Sequence, residues 1–262
     1  MLQFKYLRSM IKVVILGGGN VAYHLTANML KNSSINVVQV YNRSIDKIVH
    51  FKNNTAITNN LDELKDAAIY IIAVADNAIV ELSKKLVFKN KLVVHTSGSV
   101  AMNELQSISN KGVFYPLQSF SKEREVDFYT IPICIEASTK KDLELLESLA
   151  KSISNTVYKI NSDQRKSLHL AAVFVSNFVN HLYHIGNEIC KKNNIPFEIL
   201  QPLIQETSNK IAVLSPFEAQ TGPAKRNDVK TIEKHESMLL INQQEIYTLL
   251  TKSINKTYGE KL

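Results

Sequence analysis

Gly17 and Gly19, with Ala22 three residues further on, stand between the apolar run Lys12-Val13-Val14-Ile15-Leu16 and a segment carrying Val21, Leu25 and Met29 at helical spacing. Glycine at the first position lets a chain turn sharply off a strand. Glycine at the second has no Cβ to hold a phosphate away from the backbone. A small residue at the third lets the following helix pack close on the strand. The N–H groups of Asn20, Val21 and Ala22, at the positive dipole end of that helix, then attract negative charge. The chemistry implied is the binding of a dinucleotide pyrophosphate. A purely structural turn uses the same glycines. The strand before the turn and the amphipathic helix after it favour the nucleotide.

A second group of polar residues sits where further strands end. Val37 to Tyr41 reads as a strand, and Asn42-Arg43-Ser44 follows it. A chain selecting NAD places a carboxylate here to accept hydrogen bonds from the ribose hydroxyls. There is none, and Arg43 between two small polar residues suits a 2′-phosphate, so NADP is favoured over NAD. The apolar run Ala68 to Val74 empties into Ala75, and Val74 and Ala75 border the same site. Lys91 to His95 empties into Thr96 and Ser97, which are placed to hydrogen-bond cofactor or substrate. His95 titrates near neutrality and so has the makings of a general acid. It equally has the place of a structural histidine.

Later residues offer fewer constraints. Asn177 lies on the polar side of a long amphipathic segment, where an amide can orient a carbonyl or hydroxyl or merely face solvent. Lys225 and Arg226 follow Gly222-Pro223 and could clamp an anion. Asp228 could orient them or transfer a proton, and it also stands where a helix N-cap belongs. His181, His184 and Glu188 share a helix face, but no second ligand group converges on them in sequence, so no metal is expected.

These residues need a scaffold of two parts. Residues 10–160 alternate short apolar runs with helical segments, the pattern of a doubly wound, mostly parallel Rossmann sheet. The expected strands lie near 12–16, 37–41, 56–58, 68–74, 91–95, 112–115, 131–136 and 156–160. From residue 161 to 262 only helical periodicity remains, so an all-α domain is expected. Its main helix is expected over 163–192, with Leu168, Ala172, Val175, Val179, Leu182, Ile185 and Ile189 on one apolar face. Such a helix is about 45 Å long, more than this small remainder can cover, which points to a homodimer through the helical domain.

Composition narrows the class. Of 262 residues 45% are hydrophobic, enough for a substantial core. No apolar run nears the ~20 residues that span a bilayer. The formal charge is +7, but the basic residues are dispersed and mostly Lys, which argues against a nucleic-acid groove. Cys134 and Cys190 are isolated and expected to be reduced thiols, consistent with a cytoplasmic protein. Residues 1–9 have neither the apolar stretch nor the cleavage site of a secretory leader.

Together Gly17-Gly18-Gly19-Asn20-Val21-Ala22, Asn42-Arg43-Ser44, His95-Thr96-Ser97-Gly98-Ser99, Tyr115-Pro116-Leu117-Gln118-Ser119-Phe120 and the 221–228 loop resemble a largely uncharacterised family. Its members are Rossmann-like proteins assigned as NADP-dependent oxidoreductases, with a helical C-terminal domain of unknown function. The layout is more distantly similar to pyrroline-5-carboxylate reductase, ketopantoate reductase and the β-hydroxyacid dehydrogenases. The resemblance implies hydride transfer to or from a small, anionic carbonyl, imine or hydroxyl compound bound between the domains, and pairing of the helical domains. It does not transfer a proton donor. Where ketopantoate reductase has its lysine this chain has Asp76, and four residues before Asn177, where the hydroxyacid dehydrogenases have theirs, stands Val173. The missing lysine leaves a second class open, a nucleotide-binding sensor or scaffold without chemistry.

Overall fold

The computed structural model describes residues 10–259. Residues 1–9, the stretch tested above for a leader, lie outside them. The chain divides into two compact units, one ending at Ser176 and the other beginning at Asn177.

The first unit is built on eight strands: β1 Ile11–Leu16, β2 Ile35–Tyr41, β3 Ala56–Thr58, β4 Ile69–Ile72, β5 Leu92–His95, β6 Asn110–Pro116, β7 Ile133–Ala137 and β8 Val157–Lys159. They lie in the order β3-β2-β1-β4-β5-β6-β7-β8. The pairings are parallel except that β7 runs antiparallel to β6. Strand order reverses between β1 and β4, which sets a crevice beyond their carboxyl ends. Helices α1 Asn20–Leu30, α2 Asp76–Lys84 and α3 Lys140–Ile153 cover the faces.

Alternate residues of the central strands feed two separate cores. Val13, Ile15, Ile69, Ile71 and Val94 pack with Leu25 and Met29 of α1 and with Leu146 and Leu149 of α3. Val14, Leu16, Tyr70, Ile72 and Val93 pack with Ile79 of α2 and with Leu86 and Leu105. Burial on both faces explains why these strands are continuous apolar runs rather than alternating ones. A third, smaller cluster joins Val113, Tyr115 and Cys134 to Leu168.

Leu168 belongs to α4 Ser162–Ala172, whose start is fixed by a capping box. Asn161 accepts the Gln164 N–H, and the Gln164 side chain accepts the N–H of Asn161. The single helix expected over 163–192 is not regular. Val173–Phe178 is π-helical, and α5 Val179–Lys192 follows. The extra residue per turn rotates the apolar stripe, so the 3.6-residue register drawn from the sequence does not run unbroken through it. The expected short helix over 45–51 is instead two 3₁₀ turns, Ile45–Lys47 and Val49–Phe51.

The second unit continues with α6 Gln201–Lys210, α7 Pro216–Ala219, α8 Val229–Glu236 and α9 Ile241–Tyr258. It has almost no interior of its own. From Asn177 onward the buried residues are Cys190, Ala224, Ile232 and Gln243, while Leu203, Val213, Ile241 and Leu249 are each more than 60% exposed.

Candidate functional site

The site begins at the end of β1. Gly17 has φ +149°, and a Cβ on it would lie 2.0 Å from the Ala73 carbonyl oxygen. Only glycine fits there. Ala22, 1% exposed, packs beneath it and lets α1 approach β1 and β4. Gly19 caps α1 with no side-chain bond and no acidic residue in the first turn. A Cβ on Gly19 would meet nothing within 4 Å. The free N–H groups of this first turn therefore face open space with their positive dipole uncompensated, which is the donor set a pyrophosphate needs.

That space is a cavity of about 630 Å³. Gly19, Asn20, Val21, Asn42, Arg43, Val74, Ala75 and Thr96 line it, all of them site residues expected from the sequence. The wall also holds Gly18, Lys47, Lys85, Gln118 and Phe120, which sequence reasoning did not single out for the cofactor. Gly17, Ala22, Ser44 and Ser97 do not line it, and each acts from behind. Ser44 accepts a 2.8 Å hydrogen bond from Asn42 Nδ2 that fixes the Asn42 side chain. Asn20 does more than line the cavity, since its Nδ2 donates to the Phe120 carbonyl at 2.7 Å. His24, one turn along α1, donates to the Ser121 carbonyl at 2.9 Å. The start of α1 thus pins the loop after β6 against the nucleotide crevice. Arg43 and Lys47 are solvent-exposed cations at the β2 end of the cavity.

The loop after β5 is held from below. The Ser97 N–H donates to His95 Nδ1 at 3.1 Å, so the proton of the neutral ring sits on Nε2. His95 is fully buried, and Nε2 finds no well-formed partner, though the Ala101 carbonyl lies on that side. Burial, helped by the Arg165 charge, pushes its pKa down to about 4. His95 is therefore a neutral, enclosed imidazole at physiological pH. Ser97 Oγ accepts the N–H groups of Ser99 and Val100, at 3.1 and 3.0 Å. Ser99 Oγ in turn bonds the Asp76 carboxylate.

Arg165, which sequence reasoning missed, ties this loop to α4. It is 1% exposed. Its Nε donates to the Ser97 carbonyl at 3.2 Å, Nη2 to the Val100 carbonyl at 2.5 Å, and Nη1 to Glu136 Oε2 at 2.6 Å. The only hint in the sequence was an arginine one turn into a helix in a chain that otherwise favours lysine. One turn further, His169 Nδ1 lies 3.1 Å from Tyr115 Oη. Tyr115 is 9% exposed, and burial raises its pKa to about 12, so it remains a neutral phenol.

Asn177, Lys225 and Asp228 belong to the second unit. Asn177 is exposed within the π-helical segment. Lys225 donates to the Gln220 carbonyl at 2.8 Å and lies 5.4 Å from the Tyr258 ring centroid. Asp228 is the N-cap of α8, accepting from the N–H and hydroxyl of Thr231, and those bonds hold its carboxyl below the usual range. Among the described residues no three His, Cys, Asp or Glu side chains form a metal-binding group.

Comparison with known proteins agrees with this geometry. Residues 12–98 match the family of NADP oxidoreductases described as coenzyme F420-dependent, and residues 131–254 match a domain of unknown function. A solved structure from Bacteroides fragilis, a protein whose NADP oxidoreductase activity is itself inferred, is 42% identical with a TM-score of 0.87, over 94% of this chain and 98% of that one. An imine reductase from Myxococcus stipitatus in complex with NADP+ has a TM-score of 0.67 at 11% identity, over 95% of each chain. A reductive aminase from Aspergillus terreus in complex with NADPH and ethyl levulinate has the same TM-score at 15% identity, over 97% of this chain and 95% of that one. At such identities the last two show the fold alone. No curated protein matches the chain.

Proposed function

The chain belongs to the family of NADP oxidoreductases that end in this domain of unknown function, and from that premise we propose that it passes a hydride between NADP(H) and a small carbonyl, imine or hydroxyl compound. The observation that carries the reading is the cavity at the uncapped start of α1, with Arg43 and Lys47 at its far end and Asn42-Arg43-Ser44, a stretch without a carboxylate, directly after β2. Gly18, Gly19 and the first-turn N–H groups hold the pyrophosphate, and Arg43 with Lys47 holds the 2′-phosphate. Thr96 and Ala75 border the nicotinamide end. The bound dinucleotide supplies the two electrons as hydride. The protein's part is to position the substrate, exclude water and deliver a proton.

The substrate is proposed to be anionic, with Lys225 and Arg226 as the cations that favour it and Asn177 as the amide that orients its reacting group. We also propose a homodimer through the second unit, supported by that unit's lack of an interior. Cys134 and Cys190 are both free and buried, which fits a reducing compartment. No helix among the described residues is long and apolar enough to cross a membrane.

The cofactor reading is tested by titrating NADPH and NADH, followed by nucleotide fluorescence. NADPH should bind more tightly. Arg43→Ala should weaken NADPH about tenfold or more, the loss of one charge-assisted contact, and leave NADH unchanged. Equal affinities for the two nucleotides would remove the argument from Arg43. Binding followed by no turnover of keto acids, imines or hydroxy acids is the outcome that identifies a sensor instead.

A further inference from the structure

We propose that His169, fixed by Tyr115 and seated on the Gly98 backbone, is the general acid that protonates the substrate. The inference deepens the reductase reading above and rests on it. A reductase of this kind needs a proton donor beside the hydride acceptor, and the lysines used by similar enzymes are replaced here by Asp76 and Val173. His95, the other histidine at the strand ends, is enclosed.

Three observations point to His169. Its Nδ1 is engaged, 3.1 Å from Tyr115 Oη, so the ring orientation is set from the sheet side. Its Nε2 makes no hydrogen bond among the described residues, and the residue is only half-buried, so a proton on that nitrogen is not already committed to an acceptor of the protein. The ring lies directly on the Gly98 backbone. A Cβ at Gly98 would come within 2.5 Å of His169 Nδ1 and 2.6 Å of Cγ, so the sequence at 98 is what permits the ring to sit there. Gly98 follows the cavity-lining Thr96 by two residues, and Tyr115 precedes the cavity-lining Gln118 by three. The pair therefore stands beside the β5 and β6 ends, next to the cavity whose wall it does not itself form. The charged and titratable groups that act on Tyr115 are Cys134 on β7, Arg165 one turn before His169 on α4, and Asp76 at the start of α2.

The step balances as follows. The substrate carbon accepts the hydride as the C=N or C=O π bond breaks. Its nitrogen or oxygen forms a bond to the proton held on His169 Nε2, and the N–H bond of the ring breaks. The substrate is reduced by two electrons and NADPH is oxidised. His169 keeps its Nδ1 proton, donated to Tyr115 Oη, and recovers the other from water. Tyr115 is a positioning residue whose phenol stays neutral throughout.

The test uses full-length protein labelled with ¹⁵N-histidine. Long-range ¹H–¹⁵N spectra are recorded with and without NADP+, and His169 is assigned by its loss in His169→Gln. NADP+ should shift the His169 Nε2 signal, and Tyr115→Phe should change the balance between the two ring nitrogens. NADPH oxidation is then followed with 1-pyrroline-2-carboxylate, an anionic cyclic imine, as the probe. His169→Gln should lower kcat about 100-fold or more, the usual contribution of a general acid, with the NADPH dissociation constant within about twofold of wild type. Gly98→Ala keeps both side chains of the pair but displaces the ring, and should lower kcat likewise. Bound NADP+ that leaves the His169 signal unmoved, or His169→Gln that keeps kcat within about threefold of wild type, overturns the proposal and leaves the cofactor reading standing. Failure of the wild type to bind NADP+, or to turn over this imine or any keto acid or hydroxy acid of the screen above, overturns the reductase reading itself.

Discussion

His95 shows how burial decides what a residue type can do. From the sequence its ordinary titration range made it a candidate acid. In the fold its pKa is pushed down to about 4 because the ring is enclosed and Arg165 is near. The same shift has a consequence for stability. Between pH 4 and 6.5 the unfolded chain binds a proton at this residue and the native chain does not. Stability is therefore full above about pH 6.5 and falls as the pH drops toward 4, by about 3 kcal/mol from this group alone. His95→Asn keeps an acceptor for the Ser97 N–H and removes the titration. Urea unfolding at pH 7 and pH 4.5 should show a markedly smaller pH dependence in the variant, and equal slopes in the two proteins would contradict the assignment. The place of Arg43 on the cavity wall was legible from the sequence, because it follows directly from the end of β2. Arg165 and His169 were not. Their roles depend on contacts with Ser97, Val100 and Tyr115, more than fifty residues distant in the chain.

At the level of elements, the β1–turn–α1 unit could be read nearly complete, since glycine spacing and apolar periodicity are local. The reason for Gly17 is not local, because it is the Ala73 carbonyl on β4. Gly17→Ala places the new Cβ 2.0 Å from the Ala73 carbonyl oxygen, at an unfavourable φ, so β1 and β4 must separate. The variant should lose NADPH binding and unfold at visibly lower urea than wild type. The join of α4 to the sheet rests on Arg165. Replacing a buried arginine leaves Glu136 as an uncompensated charge and two carbonyls without donors, a class of change that costs about 3–5 kcal/mol. Arg165→Met should therefore lower the urea midpoint strongly. The double variant Arg165→Met, Glu136→Leu should recover part of the loss, because the stranded carboxylate is gone. A double variant as unstable as the sum of the two single changes would show that the ion pair is not the coupling element. The π-helical Val173–Phe178 segment carries no signature in composition, which is why the expected helix was drawn straight through it.

For the whole molecule the quantity that governs assembly is the apolar surface of the second unit. Monomers rarely expose contiguous apolar patches beyond a few hundred Å². Here Ile199 and Leu203 near the start of α6, Val213 after it, and Ile241 and Leu249 on α9 are each 63–83% exposed. A second copy of the chain is the partner that needs no further component, and a two-fold pairing lets the same apolar faces cover one another. Light scattering at micromolar concentration should give about twice the 29.5 kDa chain mass. Burying a leucine contributes about 1.5–3 kcal/mol, and a lysine in its place forfeits that and adds the desolvation of a charge. Leu203→Lys and Leu249→Lys should therefore each weaken association about tenfold or more. Leu25 and Leu149, in the core of the first unit, are not part of this surface, and the lysine variants should leave the unfolding of that unit unchanged. A wild-type protein that scatters as a monomer at these concentrations would mean that something other than a second copy covers the helices.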